Sequence, residues 1–306
     1  MHIFSQIPQL LIYGLISGSI ITLGAIGLSL TYGILKFANF AHGDVMATGA
    51  FFALAFLILF QGLGFTTQPF YPLSFGLPLI ISFLLSMGAT AALAIFIDKI
   101  LYKKLRATGR ITLLIASVGV AFILRNSLQF IWGPQPRYYI KKIQIATSVP
   151  FLGIKIKPDE IFIIAVAISL VILLHFFLQK TRMGKAMRAT SDNVELAQVT
   201  GINTESVINW TWAIGAALAA AGGILAGIEN KFITPNFGWD MLLPIFAAVI
   251  LGGIGNPYGA MLGGMVIGFS EEISTAFIPT SYKPAVAFII MVVMLLVKPR
   301  GLLGER

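Results

Sequence analysis

The stretch KTRMGKAMRATSDNVELAQVTGIN, from Lys180 to Asn203, is a polar island in a chain that is otherwise apolar, and the rest of the sequence can be placed relative to it. Lys180, Arg182, Lys185 and Arg188 come first. Ser191, Asp192 and Asn193 then offer helix N-caps, and Glu195 stands three residues after Asp192, the spacing of a capping box. This predicts a short helix over Val194 to Thr200, stopped by Gly201 at the C′ position where a left-handed backbone suits glycine. The expectation is a compact, capped helix held at a membrane surface. The same residues also read as an ordinary loop whose charges only fix topology, and spacing alone does not separate the two.

Composition says why the surface in question is a membrane. The 306 residues are 57% hydrophobic and only 11% charged, with a mean hydropathy of +0.90. That is too apolar for a soluble domain, and the length suffices for eight or nine spans of roughly 20 residues each. The expected fold class is all-α: a polytopic transmembrane helical bundle in a single domain over residues 1–306. The net charge of +9 does not point to nucleic acid, because Lys and Arg cluster in short segments between apolar runs, as the positive-inside rule requires. With no Cys, thiolate metal sites and thiol catalysis are excluded, and three scattered His do not make a zinc site. Met1 to Leu35 holds no Lys, Arg, Asp or Glu, so the basic region of a signal peptide is missing and the first segment reads as a retained span.

Apolar runs suited to helices lie near 9–35, 41–60, 76–97, 111–132, 161–179, 206–228, 241–255, 259–278 and 284–297. The basic segments Asp98 to Arg110 and Lys180 to Asn203 both read as cytoplasmic, and the two spans between them give the right parity. Counting back three spans puts the N-terminus outside. Gly133 to Pro158 would then be external despite Arg137, Lys141, Lys142, Lys155 and Lys157, and the end at Lys298 to Gly301 would be cytoplasmic, which nine spans satisfy. Eight spans with a cytoplasmic N-terminus is the competing count.

Small residues recur four apart at Gly14/Gly18, Gly223/Gly227, Gly255/Gly259/Gly263 and Gly264/Gly268, a spacing that lets helix backbones touch. This reads first as tight packing inside one bundle and second as a dimer face. The halves of the chain are loosely related, each with a break between apolar helices: Lys36-Phe-Ala-Asn-Phe-Ala-His-Gly-Asp44 and Gly252-Gly-Ile-Gly-Asn-Pro-Tyr-Gly259. Such breaks free backbone groups that at membrane depth need protein or water, so Asn39, His42, Gly252, Gly253, Gly255 and Asn256 are candidate translocation residues. The alternative is a turn at the membrane face. His42 reads as a hydrogen-bonded residue near the interface, Arg125 as a side chain snorkelling outward, and Glu271 and Glu272 as an outer mouth.

The segments Gly27-Leu-Ser-Leu-Thr-Tyr-Gly33, Phe37-Ala-Asn-Phe-Ala-His-Gly43, Arg182-Met-Gly-Lys-Ala-Met-Arg188 with Gly201-Ile-Asn203, and Ala248-Val-Ile-Leu-Gly-Gly-Ile-Gly255 followed by Gly259-Ala-Met-Leu-Gly-Gly264 resemble the LivH-type permeases of branched-chain amino-acid ABC importers, nearly end to end. Glu195-Leu-Ala197-x-x-x-Gly201 likewise resembles the Glu-Ala-Ala-x-x-x-Gly loop by which such permeases dock on an ATPase. The resemblance implies a bacterial inner-membrane protein, a LivM-type second permease subunit, two ATPase subunits at the cytoplasmic face and a substrate-binding protein outside. It implies an ATPase-coupling loop at about 180–204, carried by Arg182, Gly184, Arg188, Glu195, Ala197 and Gly201, with Arg182 and Arg188 meeting lipid phosphate or ATPase carboxylates and Ala197 packing close to the partner.

No cofactor is expected on this chain, ATP and magnesium belonging to the partner subunits. Gly184-Lys185 is no P-loop, since Gln179 stands where the first Gly belongs and Ala186 where Ser or Thr would bind magnesium. Alternatives are a urea or short-amide permease of the same family, an ion-coupled carrier, which would need buried carboxylates, a channel, for which no filter-like repeat is seen, and an intramembrane enzyme, for which no nucleophile and base recommend themselves.

Overall fold

The structure is a computed structural model that describes residues 2–66, 68–140, 146–149 and 154–304, with residues 2–5 and 148–149 as backbone only. In chain order its helices are α1 His2–Leu35, α2 His42–Gly62, α3 Leu77–Ile97, α4 Lys103–Leu105, α5 Arg110–Trp132, α6 Pro158–Lys180, α7 Arg182–Asp192, α8 Val194–Val199, α9 Thr204–Asn230, α10 Phe237–Gly252, α11 Pro257–Ser274 and α12 Lys283–Val297. A π turn, Asp98–Tyr102, carries α3 into α4, and a 3-10 turn, Arg106–Thr108, follows. Among the described residues the bundle is all-α apart from one antiparallel hairpin, β1 Thr147–Val149 with β2 Ile154–Ile156, inside the segment between α5 and α6. Gln9 of α1 clips it, accepting from the Lys155 amide at 2.7 Å and donating to its carbonyl at 2.9 Å. Lys141 and Lys142 lie outside the described residues.

Among the described residues, seven helical stretches are long and apolar enough to cross a membrane: Gln6–Leu35, His42–Gly62, Leu77–Thr108, Arg110–Trp132, Pro158–Lys180, Thr204–Asn230 and Thr280–Val297. The chain is a multi-pass membrane protein. The eight or nine spans of the sequence reading would draw in α10, 16 residues long, and α11, which carries Glu271 and Glu272 in its last turn. Both pack against α1.

Close packing at small residues builds this centre. A Cβ on Gly264 of α11 would lie 2.7 Å from the Thr22 Cα of α1, and one on Gly14 of α1 2.9 Å from the Phe269 Cα of α11. Gly18 and Gly268 meet backbone to backbone between them. The two four-residue repeats singled out in the sequence are thus the two halves of one α1–α11 seam inside the bundle. Between lipid-soluble helices there is no hydrophobic drive, so van der Waals contact of backbones replaces it. Gly263 likewise lies on the Ala248 carbonyl of α10, and Gly223 of α9 on the Met46 carbonyl of α2. Glu272 is tied into the α1–α11–α12 junction, accepting from Ser17 Oγ at 2.8 Å and Lys283 Nζ at 2.6 Å.

Ion pairs sort the loops by end. Glu205, at the start of α9, holds Arg106 at 2.9 Å and Lys103 at 3.0 Å, so the basic segments 98–110 and 180–204 share one end. The chain end joins them, Leu302 and Leu303 donating to the carbonyls of Leu251 and Gly252. At the opposite end, buried Asp159 accepts from the Ser74 amide and hydroxyl and from Lys231 Nζ at 2.8 Å.

Two expected outcomes follow from this packing and sorting. Gly268→Leu forces a side chain between two touching backbones and should lower the melting temperature in detergent by several degrees or prevent recovery of the protein. Gly88→Leu, with open space around it, should leave stability within about 0.5 kcal/mol. In this Cys-free chain, Thr108→Cys and Thr200→Cys should react with an impermeant maleimide from the same side of sealed vesicles; reaction from opposite sides would refute the shared end.

Candidate functional site

The polar island folds as two helices rather than one. α7 starts at Thr181, whose hydroxyl accepts from the Gly184 amide at 2.9 Å, and the chain turns so tightly out of α6 that any side chain at Gly184 would strike the carbonyls of Phe177 and Leu178. Arg188 reaches back to donate to the Leu178 carbonyl, and Met187 is buried beneath. Arg188 therefore braces the α6–α7 corner, whereas Arg182 is exposed at the start of α7.

The break to α8 corrects the expected capping box. Asp192 ends α7, and Asn193 is the cap, its Oδ1 accepting from the Leu196 amide at 2.9 Å. Glu195 consequently falls in the first turn of α8, exposed, where its charge favours the helix dipole but caps nothing. At the other end Gly201 has φ +85°, its amide bonds to the Gln198 carbonyl at 3.0 Å, and the Ile202 amide bonds to the Ala197 carbonyl at 3.0 Å. These two bonds are a complete Schellman stop. Asn203 then caps α9 through the Ser206 amide at 3.0 Å. Ala197, expected to face a partner, is 3% exposed and turned into its own chain; the outward apolar side chains are Leu196, 61% exposed, and Val199, 86% exposed.

The island is latched to the end of α1. Lys36, at φ +55°, donates to the Ser191 carbonyl at 3.0 Å, and Ser191 Oγ to the Gly33 carbonyl at 3.2 Å. Together with the second break these segments enclose a cavity of about 400 Å³, lined by Lys36, Arg188, Asp192, Gly255, Asn256 and Tyr258 among others. The second break is a turn at this end of the bundle: Gly253 and Gly255 take φ +110° and +89°, and Asn256 caps α11 through the Tyr258 and Gly259 amides. Gly252 lies against Gly259, and Asn256 Nδ2 pins the Leu303 carbonyl at 3.0 Å.

The first break is the one at membrane depth. After Leu35 the chain runs back into the bundle without helix, so that His42 Nε2 comes 2.9 Å from the Gly24 carbonyl, about 16 Å up α1 from its end. Freed backbone groups there find protein partners: the Phe40 amide donates to Ser117 Oγ at 3.0 Å, and the Ala41 amide to Asn39 Oδ1 at 3.1 Å. Asn39 and His42 are buried, so His42 is no interface residue. Nor does Arg125 snorkel. Its Nε and Nη2 donate to the two carboxylate oxygens of Asp44, each at 2.9 Å, and its guanidinium lies 4.8 Å from the Trp239 ring centre. Two charges that would each be costly in lipid are joined by parallel charge-assisted bonds, and loss of either would strand the other at about 3–5 kcal/mol. Ionisable residues of opposite sign inside two apolar runs, Asp44 and Arg125, were the signal for this pair.

A larger cavity of about 790 Å³ opens at the opposite end, between α2, α3 and the segment after α5, with Leu54, Phe75, Trp132 and Tyr139 among its walls. Tyr139 donates to the Ala50 carbonyl at 2.6 Å, and burial pushes its hydroxyl well above the usual phenol range.

Residues 10–295 match the family described as branched-chain amino acid transport system / permease component. The chain is 32% identical to the high-affinity branched-chain amino acid transport system permease protein BraD of Pseudomonas aeruginosa, over 97% of this chain and 95% of that one. It is 32% identical to the permease protein LivH of Escherichia coli K12, over 99% and 97%. The permease protein LivM of the same organism is 26% identical, over 91% of this chain and 66% of that one. No solved structure matches. Its apolar helices and permease relatives make it a multi-pass inner-membrane protein. Along nearly its whole length, the chain belongs to the permease components of branched-chain amino acid transport systems.

Proposed function

We propose that this chain is the LivH-type permease subunit of an ATP-driven importer, moving branched-chain amino acids across the bacterial inner membrane. It pairs with a LivM-type second permease subunit, two ATPase subunits dock at its basic end on the cytoplasmic side, and an extracytoplasmic binding protein delivers substrate at the other end. ATP and magnesium are held by the ATPases. The observation that carries this reading is α8: six residues stopped at both ends by their own caps, presenting Leu196 and Val199 outward at the basic end, where nothing in the described residues covers them. A permease without chemistry of its own needs a rigid surface element through which a partner's conformational change is transmitted. Lys36 and Ser191 join that element to α1 and so to the break leading to His42 and Asp44. Relatives named for branched-chain amino acid transport favour that substrate over urea or a short amide.

In the importer reconstituted in liposomes, Val199→Asp and Leu196→Asp should leave the permease in the membrane while cutting ATP-driven leucine uptake at least tenfold and weakening co-purification of the ATPase. Gly201→Asp, which places a Cβ at positive φ for about 1 kcal/mol, should do the same. Ala197→Arg would disrupt the island itself and is the less informative variant. Full uptake by both surface variants, or by wild type without any ATPase, would refute the importer reading.

A further inference from the structure

Close to the Asp44–Arg125 pair stands a carboxylate that, among the described residues, no hydrogen bond or salt bridge holds. Asp240 lies in the first turn of α10, two residues after Gly238, which packs directly on Gly43 beside the buried Asp44. It therefore sits at the level of the Asp44–Arg125 pair. α2 fixes that level: Met46 rests on Gly223 of α9, about 12 Å along the helix from Lys231 at the end of the bundle. Yet Asp240 is exposed, and among the described residues its carboxylate takes no hydrogen bond and no salt bridge. A carboxylate facing lipid there would cost about 2.5–3.5 kcal/mol, so its face meets water or a polar group.

The surroundings say which. Arg125 is held by Asp44 through Nε and Nη2, which leaves Nη1 free of protein partners, and it stacks beside the half-exposed Trp239. On the same face Gln129 donates to Asn236 Oδ1 at 3.1 Å, leaving the Asn236 amide group free to donate. Toward the basic end this polar patch gives way to Leu243 and Phe246, half-buried, about 4.5 and 9 Å further along α10, with Phe40 of the first break against Phe246 at 5.2 Å between ring centres. A carboxylate, unengaged donors beside it and an apolar wall within a side chain's length complement a zwitterion with an aliphatic tail.

We propose that this α5–α10 face is the amino-acid recognition wall of the translocation pathway, with Asp240 receiving the α-ammonium, Arg125 Nη1 and the Asn236 amide facing the α-carboxylate, and Leu243, Phe246 and Phe40 lining the aliphatic side chain. The inference rests on the importer reading and names the residues by which that importer handles its substrate inside the membrane. Asp240 supplies the charge that meets the ammonium as it leaves water, and the α-carboxylate is met by the hydrogen-bond donors Arg125 Nη1 and the Asn236 amide.

The test is leucine uptake and ATP hydrolysis by the complete importer in liposomes, driven by leucine-loaded binding protein, for wild type, Asp240→Asn and Asp240→Glu. Uptake by Asp240→Asn should fall at least tenfold while binding-protein-stimulated ATP hydrolysis and co-purification of the second permease subunit persist. Asp240→Glu should recover a substantial part of the uptake. Unchanged uptake in Asp240→Asn would overturn the proposal. So would loss of the second permease subunit, or a parallel loss of hydrolysis in both variants, since Asp240 would then be an assembly residue. Absence of ATP-driven leucine uptake in the wild-type complex would refute the importer reading itself, and this assignment with it.

Discussion

Two apolar helices in lipid gain nothing by hiding from water, and the contact of backbone with backbone at glycine is what holds this bundle together. α1 is its axis, meeting α11 along Gly14, Gly18 and Thr22 and meeting α9 where Gly27 faces Gly215. α10 closes on α11 through Gly252 and Gly263, and on α2 through Gly43 and Gly238. At such points a methyl group has nowhere to go, so helix order and depth are set by where the small residues fall. The polar features depend on that registration: His42 reaches the Gly24 carbonyl, and Asp44 reaches Arg125, only because the helices stand this close.

The interior polar groups obey a second constraint, that no backbone or charged group at depth goes unpaired without cause. Around the first break Ser117, Asn39 and the Gly24 carbonyl answer the groups that the missing helix turn releases. The pairing of Asp44 with Arg125 ties α2 to α5 next to that break. It makes the region a fixed neutral centre, beside which Asp240 lies exposed with no salt bridge among the described residues.

Much of this was legible in the sequence. The apolar runs lie within a few residues of the helices found, and Gly201 stops its helix through the left-handed backbone that its position suggested. The paired glycine spacings were visible too, though not that the set on α1 and the set on α11 face each other. What pattern could not supply was depth and partnership. Ser191, Asp192 and Asn193 offered equivalent caps, and only the tertiary path of α7, which uses Asp192 for its own last turn, decided for Asn193. Ala197 looked like a contact residue because small residues suit close docking; here the close contact is internal. Both breaks carry Gly and Asn between apolar helices, yet one is a turn at the end of the bundle and the other lies inside it, a difference made by what packs around them.

The α1–α11 seam also bears on how the protein is made. α1 is synthesised before α11, and the helix that covers its glycine face is completed only after everything from Lys36 to Asn256 has been added. Through that interval Gly14 and Gly18 form an open groove in the membrane, able to take any small-residue helix that passes. Correct assembly therefore depends on keeping α1 unoccupied until α11 arrives, a demand on the insertion machinery, or on lipid itself, that the finished bundle no longer displays.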